Sequence, residues 1–440
     1  MARILVIYHR PRFGDWRATY ESHVKSFSRF SDDEVYYLNT DYRRVPRYLK
    51  TLDPDLIIYH YTFLYYRHVP QTFDSLIRKI AFTQHLECPK ALVPHDEQTH
   101  ADILNSFVRD FGITHIFTPA PASEWSNIYA DVDLDAIRLS TVLTGYVDDG
   151  TVRRVEARAK RSEQRHMDIG YRSGGTGPYY GRHGLLKREI GEIVASRAPA
   201  FGLTTDISSD YRDAIFGDGW LDFLLGCKYT LGVEGGSGVF DWDGSIAERV
   251  QSYLLTHEDP PFEETEAACF PGADGGFRYF LLGPRHFEAV MTRTCQVLIE
   301  GDYGGVLEAG KHYIALKRDF SNVDAVLELV REDRLRARLV ESAYEDVVAS
   351  GKYTYAAFAN HVLTTALGGP DRGARRSRVA SIRMWRNHAA ERLWLLQSES
   401  AARYVGERTR TALRPVASRV LGEGRLRRLL SRIRSRGIGW

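Results

Sequence analysis

The chain has 440 residues, 43% of them hydrophobic and 26% charged, and a formal net charge of +2. This composition is that of a globular protein, and the length predicts two domains. No apolar run approaches about 18 residues, no segment fits a signal peptide, and the four cysteines are scattered. These features argue against a membrane-spanning protein, a disulfide-stabilised secreted protein and a zinc module, and they predict a cytoplasmic location.

The first part of the chain alternates strand patterns with amphipathic helix patterns. Apolar strands are predicted over Arg3–His9, Asp53–Tyr61 and Pro89–Asp96, and at EVYYL, THIFTP and TVLTGYVDD. Helices are predicted at YESHVKSF, FDSLIRKIAF and ADILNSFVRDFG. Such alternation is typical of βαβ units and a parallel sheet, so we expect an α/β domain over residues 1–155.

A second alternating series follows. Strands are predicted at MDIGYRSG, KYTLGV, CQVLIEG and HYIAL, and helices at GLLKREIGEIVASRA, GWLDFLLG, PRHFEAVMTRT and VDAVLELVRED. This pattern predicts a second α/β domain over residues 156–345. A closing helix is expected within 346–370.

Residues 371–440 differ in composition from the rest of the chain. They contain 18 arginines, no lysine, four glutamates and one aspartate, a net charge of +13, so the remaining 370 residues carry −11. Leucine and isoleucine recur at helical spacing between the arginines near the end. We therefore predict a basic, amphipathic, helical tail that binds an anionic partner.

Cations and glycines follow the first strand of the second domain. Arg172 ends that strand, and Arg182 and Lys187 lie at the start of the next helix, beyond a glycine-rich loop. Ligands of doubly wound sheets bind at the carboxyl ends of the strands. Cations at a helix N-terminus suit a diphosphate. The alternative is a solvated loop whose basic residues face water.

The stretch 284–305 combines a helix, a strand and a glycine-rich turn. A carboxylate near a helix start can accept hydrogen bonds from ribose hydroxyls, and glycines let backbone N–H groups approach a phosphate. The candidate donor-binding residues here are Arg285, Glu288, Glu300, Tyr303, Gly304 and Gly305. The alternative is a buried helix and a turn that only needs flexible glycines.

Ionisable residues follow a predicted strand of the first domain. His95, Asp96 and Glu97 come directly after ALVP and are candidates for a base or for a group that orients a hydroxyl. The alternative is that the aspartate caps the next helix.

The stretch GVEGGSGVFDWDGS suggests a phosphate loop or a metal site. It lacks the lysine of a Walker motif and the spacing of a calcium loop. We expect Glu234, Gly235, Gly236 and Ser237 to contact a donor at a strand end. Asp241 and Asp243 are expected to order the loop or cap a helix, and no metal site is predicted.

Four segments in this order resemble the C-terminal half of GT-B glycosyltransferases: IGYR…YYGRHG…K, GDGWLDFLLGCKYTLGVEGGS, DWDGSI and PRHFEAVMTRTCQVLIEGDYGGVLEAGKHYIALKRDFSN. Bacterial group 1, or family 4-like, enzymes of surface-polysaccharide and lipopolysaccharide biosynthesis are the most similar type. The resemblance covers about 1–365. It implies two Rossmann-like, doubly wound domains that face a central cleft, the first binding an acceptor and the second a nucleotide-diphosphate sugar.

The resemblance also implies roles for single residues. Arg172 and Lys187 match the cations that hold the donor diphosphate, and Glu288 matches the second glutamate of the E-x7-E motif, which contacts the ribose. Phe280 stands where the first glutamate would be, so the donor sugar is expected to contact residues 234–237 instead. His95 and Asp96 match an HD pair often seen after the fourth strand.

The implied reaction is a metal-independent hexosyl transfer without a cofactor, with retention of configuration, to a glycan or lipid-linked acceptor. The basic tail is then expected on an anionic membrane surface, making the protein peripheral to the inner face of the cell membrane, rather than on nucleic acid. Two alternatives stay open. One is a metal-dependent GT-A-type transferase that uses Asp241 and Asp243, and the other is a non-catalytic assembly protein that binds nucleotide sugars.

Overall fold

The computed structural model describes residues 1–12, 16–159, 165–174, 176–369 and 382–396. Most of the predicted basic tail, residues 371–381 and 397–440, lies outside the described residues. In the described part of the chain, no helix combines the length and the apolar character that a bilayer span requires.

The first half is built on a parallel sheet of six strands in the order β2-β1-β3-β4-β5-β6. The strands are β1 (Arg3–Tyr8), β2 (Glu34–Asn39), β3 (Leu56–His60), β4 (Lys90–Val93), β5 (His115–Thr118) and β6 (Arg138–Thr141). The helices are α1 (Ala18–Arg29), α2 (Arg47–Lys50), α3 (Tyr61–Leu64), α4 (Pro70–Ile80), α5 (Ala101–Phe111), α6 (Trp125–Ile128) and α7 (Asp149–Ala159).

The central strands β1 and β3 are largely apolar because both faces of the sheet are covered there, whereas the edge strand β6 is polar and partly exposed. Leu5 and Ile7 pack into the core on one face, and Ile4 and Val6 pack into the core on the other. The strand order reverses between β1 and β3, which makes the carboxyl ends of these two strands a switch point where ligands bind in such sheets.

The second half is built on a parallel sheet of five strands in the order β13-β12-β9-β7-β8. The strands of this half are β7 (Met167–Arg172), β8 (Thr205–Ser208), β9 (Cys227–Gly232), β12 (Cys295–Ile299) and β13 (Tyr313–Leu316), with a separate antiparallel pair β10 (Gly235–Ser237) and β11 (Tyr279–Leu281). The helices are α8 (Gly181–Arg197), α9 (Asp218–Gly226), α10 (Ser245–Leu254), α11 (Phe262–Cys269), α12 (Pro284–Met291), α13 (Val323–Val330), α14 (Asp333–Ala343) and α15 (Tyr355–Leu367). The switch point lies between β7 and β9.

The two halves exchange elements. Phe277 and Tyr279, next to and within β11, belong to the core of the first half. Phe358 and Val362 of α15 also pack there, whereas Val155 of α7 packs on α9 of the second half. Because each half contributes to the other, the chain is joined across the cleft by packed side chains as well as by its backbone.

One further helix, α16 (382–396), covers the outer edge of β2. The amide of Asn387 accepts from the Tyr37 N–H at 2.8 Å and donates to the Tyr37 carbonyl at 3.0 Å. It thereby satisfies the backbone groups that an edge strand leaves unpaired.

The predicted fold class is confirmed, since two doubly wound parallel sheets face a shared cleft. One predicted strand is displaced: TVLTGYVDD was expected as a strand, but β6 ends at Thr141. Val147 instead pairs with the segment before α15, through Val147 N–H to the Tyr353 carbonyl at 2.7 Å. Strand β8 was not predicted, because its sequence TDIS is half-exposed and carries no apolar run.

Candidate active site

A cleft of about 800 Å³ lies between the two halves. The first half lines it with residues that follow β1, β3 and β4, and the second half lines it with residues that follow β7 and β9 and with the start of α12. These positions are the carboxyl ends of the strands beside the two switch points, where the topology of doubly wound sheets places ligands.

Two cations of the second half face this cleft. Lys187 lies in the second turn of α8, and Arg285 is the second residue of α12. Within the described ranges, neither forms an ion pair. Burial lowers the pKa of Lys187 and the nearby Arg285 guanidinium lowers it further, while Asp96 across the cleft opposes the shift. The cleft therefore holds two neighbouring cations that no carboxylate of the described residues contacts within ion-pair distance.

Glu288 stands beside these cations. Its carboxylate accepts a hydrogen bond from Trp220 Nε1–H at 2.8 Å, and the Arg285 guanidinium lies 5.1 Å from the centre of the same indole. Burial raises the pKa of Glu288, while the Trp220 bond and the Arg285 charge lower it. Trp220 thus contacts both charged groups of α12, the Glu288 carboxylate through a hydrogen bond and the Arg285 guanidinium through its ring face.

The other two predicted cations have different surroundings from those expected. The Arg172 guanidinium pairs with Asp206 at 2.7 Å and also donates to the carbonyls of Tyr171, Asp206 and Asp213, so its N–H groups hold β7 and β8 together. Arg182 points away from the cleft and pairs with Glu263 at 2.8 Å. Arg172 still lines the cleft, but only Lys187 and Arg285 of these four cations have no carboxylate partner among the described residues; Arg285 also donates to the Arg172 carbonyl.

Two residues of the EGGS stretch line the cleft, and the other two are buried and bonded within the protein. Gly235 and Gly236 line the cleft. Gly236 has φ +99, and a Cβ there would lie 1.7 Å from the Tyr279 carbonyl oxygen, so the β10–β11 pairing requires this glycine. Glu234 is buried and accepts from the Tyr303 N–H at 2.8 Å, and Ser237 is buried and accepts from the Val239 N–H at 3.0 Å.

The turn after β12 lies outside the cleft lining. The Tyr303 hydroxyl is buried and donates to the Ile299 carbonyl at 2.6 Å. Glu300 accepts weakly from the Arg318 N–H at 3.4 Å, and Gly304 and Gly305 adopt φ +61 and +67 at the surface. These residues sit at a strand end as predicted, but the glycines here serve the turn.

Asp96 and Asp148 are the carboxylates of the first half that line the cleft, and Asp148 is paired with Arg29 at 2.9 Å. Asp96 has a left-handed backbone (φ +56), and the fully buried Arg67 donates to its carbonyl and to the His95 carbonyl at 3.0 Å. Desolvation raises the pKa of Asp96, and the charges of Arg67 and Lys187 oppose this rise. Arg67 therefore holds the turn that aims Asp96 at Lys187.

His95 also lines the cleft, and its ring stacks on Tyr61 at 3.8 Å. Burial lowers the pKa of His95 to about 3, so the imidazole is neutral near pH 7. Two more buried histidines adjoin it: His23 Nδ1 and His60 Nε2 lie 2.9 Å apart.

Glu97 is turned into the protein, away from the cleft, contrary to the expected catalytic position. It is fully buried and accepts from Thr118, from Tyr129 at 2.5 Å and from Tyr279 at 3.1 Å. Since Tyr279 belongs to β11, this carboxylate joins the two halves.

Asp241 and Asp243 cap α10, as expected. Asp241 accepts from the N–H groups of Ile246 at 3.0 Å and Ala247 at 2.9 Å, and Asp243 accepts from that of Ser245 at 3.0 Å. Their oxygens are thus engaged by the start of a helix.

Several residues of the site carry no sequence motif. Trp220 lies in an apolar helix pattern. Arg67, which contacts the Asp96 turn from outside the cleft lining, lies in a short 3-10 helix (Tyr65–His68). Arg17, Tyr20 and Tyr61 follow β1 and β3, so only the strand order identifies them as lining residues.

No family model and no curated protein matches this chain. Among solved structures, it is similar to β-glucosyltransferase of phage T4 (10% identity, TM-score 0.46, 83% of this chain and 99% of that chain). It is also similar to HepE of Anabaena, solved with UDP-glucose (10% identity, TM-score 0.42, 83% and 99%). A third similar structure is AviGT4, a glycosyltransferase of avilamycin A biosynthesis (12% identity, TM-score 0.42, 84% and 99%).

Proposed function

We propose that the protein is a glycosyltransferase that binds a nucleotide-diphosphate sugar in the cleft. The observation that carries this proposal is the pair Lys187 and Arg285, two cations without ion-pair partners in the described part of the chain, at the switch point of a doubly wound sheet. Neighbouring cations repel each other, so the site favours an anion that pairs with both. A diphosphate supplies that charge.

The chemistry follows from the positions of these groups. When the bond between the sugar and the diphosphate breaks, negative charge grows on the leaving oxygen. Lys187, Arg285 and the N-terminus of α12 stabilise this charge without a metal ion or cofactor. Glu288 accepts hydrogen bonds from the ribose, and Trp220 keeps it oriented.

Asp96 on the opposite wall orients the acceptor hydroxyl and accepts its proton. The proposed transfer is of a hexose, with retention of configuration, to a glycan or lipid-linked acceptor. Contact of the Arg-rich residues 371–440 with an anionic membrane belongs to the same proposal.

The first experiment is a thermal-shift panel of UDP, GDP, ADP and CMP sugars, followed by titration of the stabilising donor into Lys187→Met. Loss of one charge-assisted contact of about 1.5–3 kcal/mol predicts at least tenfold weaker binding. Lys311→Met is the matched control, because Lys311 is exposed and pairs with Asp346 outside the cleft. Equal donor affinity in wild type and Lys187→Met would contradict the diphosphate assignment.

The non-catalytic alternative is favoured by one observation. Phe280, where the resemblance expects a glutamate, is stacked on His183 at 3.8 Å and lies under Arg318 at 5.5 Å. Release of nucleoside diphosphate separates the two functions: a transferase releases it from wild type and not from Asp96→Asn, whereas a binding protein releases none. Loss of that release in EDTA would instead support a metal-dependent reaction.

A further inference from the structure

Helix α16 is fixed to the first half by its polar face. Asn387 binds both backbone groups of Tyr37, and the buried Glu391 accepts from the Tyr8 hydroxyl and from Lys25 Nζ at 2.5 Å. Only 5% of the Glu391 side chain is exposed. These bonds leave no freedom of rotation about the helix axis, so the face turned to solvent is determined.

The solvent face of α16 carries an apolar stripe. Ile382, Trp385, Leu393 and Leu396 recur at helical spacing, and they are 54%, 70%, 59% and 56% exposed. The inner side of the helix also has apolar contacts, since Met384 packs on the core of the first half and Trp394 on Tyr42, so α16 carries apolar residues on both sides. We call the four exposed residues the outer stripe.

Arginines flank the outer stripe. Arg383, Arg386 and Arg392 are exposed, and Glu391, the one acidic residue of helix 382–396, is buried on the opposite side. The solvent face of this helix is therefore apolar and cationic, without a carboxylate. Apolar residues between arginines are the pattern of helices that lie in the headgroup region of an anionic bilayer.

We propose that the outer stripe of α16 and its flanking arginines dock the first half on an anionic membrane surface. A second copy of the chain fits this face poorly, because a symmetric contact would place the arginines of one copy against those of the other. A nucleic acid would use the arginines but leave the stripe in water. The proposal rests on the membrane contact proposed above for residues 371–440 and assigns that contact to a defined face of a folded helix.

Vesicle co-sedimentation of the full chain tests the surface. Binding to vesicles that contain phosphatidylglycerol should fall at least tenfold in Trp385→Gln/Leu393→Gln, because both apolar groups leave the headgroup region. Arg386→Gln/Arg392→Gln should abolish the preference over pure phosphatidylcholine vesicles. The control is Leu255→Gln, since Leu255 is 78% exposed on the second half, and it should bind like wild type.

A local measurement separates the helix from the tail at 397–440. Brominated lipids should quench a part of the tryptophan emission that is missing in Trp385→Phe and present in Trp125→Phe. Equal quenching in all three proteins, or unchanged binding of the stripe variant, would overturn the proposal. A change of oligomeric state in the stripe variant, measured by analytical ultracentrifugation, would assign the face to a second copy instead. Unchanged melting temperature and donor affinity confirm that the variants are folded.

Discussion

Replacing Arg67 by methionine tests how the cleft carboxylate is positioned. Arg67 has no exposed surface, and its guanidinium donates to the carbonyls of Leu64, His95 and Asp96. Asp96 has φ +56, a left-handed conformation that costs a non-glycine residue about 1 kcal/mol and persists only where its surroundings enforce it. Arg67 is the group that enforces it here.

The stability change can be worked out from these contacts. A hydrogen bond to a charged group contributes about 1.5–3 kcal/mol, so three of them contribute about 4.5–9 kcal/mol. Burial of the guanidinium costs several kcal/mol, which offsets part of that sum. We expect Arg67→Met to lower the free energy of unfolding by about 3–5 kcal/mol, measured by urea denaturation. Arg109→Met is the control, because the exposed Arg109 also donates to a backbone carbonyl of the first half.

The pH profile separates positioning from stability. The Arg67 charge lowers the pKa of Asp96, so its loss raises that pKa and moves the acid limb of turnover to higher pH. Arg67→Lys keeps the charge but loses the planar fork of donors. We expect it to be destabilised while its acid limb stays near that of wild type. An acid limb that is the same in Arg67→Met and wild type would refute the effect of the Arg67 charge on Asp96.

Two further predictions concern buried networks. Tyr279→Phe and Tyr129→Phe each remove one hydroxyl that is bound to Glu97, so each should lower the free energy of urea unfolding by about 1.5–3 kcal/mol. Only Tyr279→Phe should alter donor turnover, because only Tyr279 joins the two halves. Equal turnover in the two variants would contradict this role. Burial lowers the pKa of His23, so its contribution to stability is full above pH 6.5 and is lost as the pH falls below that value. His23→Phe should therefore flatten the acid-side stability curve by up to about 1.4 kcal/mol per pH unit, and an unchanged slope would contradict the assignment.

The two sheets could be predicted from the sequence because parallel strands covered on both faces are continuous apolar runs, such as LIIYH in β3. Contacts between residues that are distant in sequence could not be predicted in this way. Phe277 and Tyr279 follow a polar insertion, and their place in the core of the first half depends on the β10–β11 pairing. Likewise, Asn387 gives no periodic signal, although it covers the edge of β2.

For the candidate site, the predicted strand ends indicated which part of the chain lies near the cleft. They did not indicate where each side chain points. Lys187, Arg285 and Arg172 all line the cleft, but Arg172 is paired with Asp206, whereas the other two have no carboxylate partner among the described residues. The acceptors that engage Arg172 come partly from β8, a strand without an apolar pattern. A cation at a strand end can pair with a ligand only if no acceptor group of the protein lies beside it. The sequence alone does not reveal which acceptor groups the fold brings there.

The adjacent residues Asp96 and Glu97 connect the two walls of the cleft. The turn held by Arg67 sends Asp96 into the cleft and Glu97 into the core, where it binds Tyr279 of β11. β11 in turn pairs with β10, so Gly236 lies opposite Phe280, one residue from this contact. Asp96 and the glycines of β10 are therefore linked through two short contacts and keep a fixed relation. Helix α12, which carries Arg285 and Glu288, begins three residues after β11 and packs Phe287 in one cluster with Val147 of the first half. The groups proposed to bind the donor therefore share this fixed relation to Asp96.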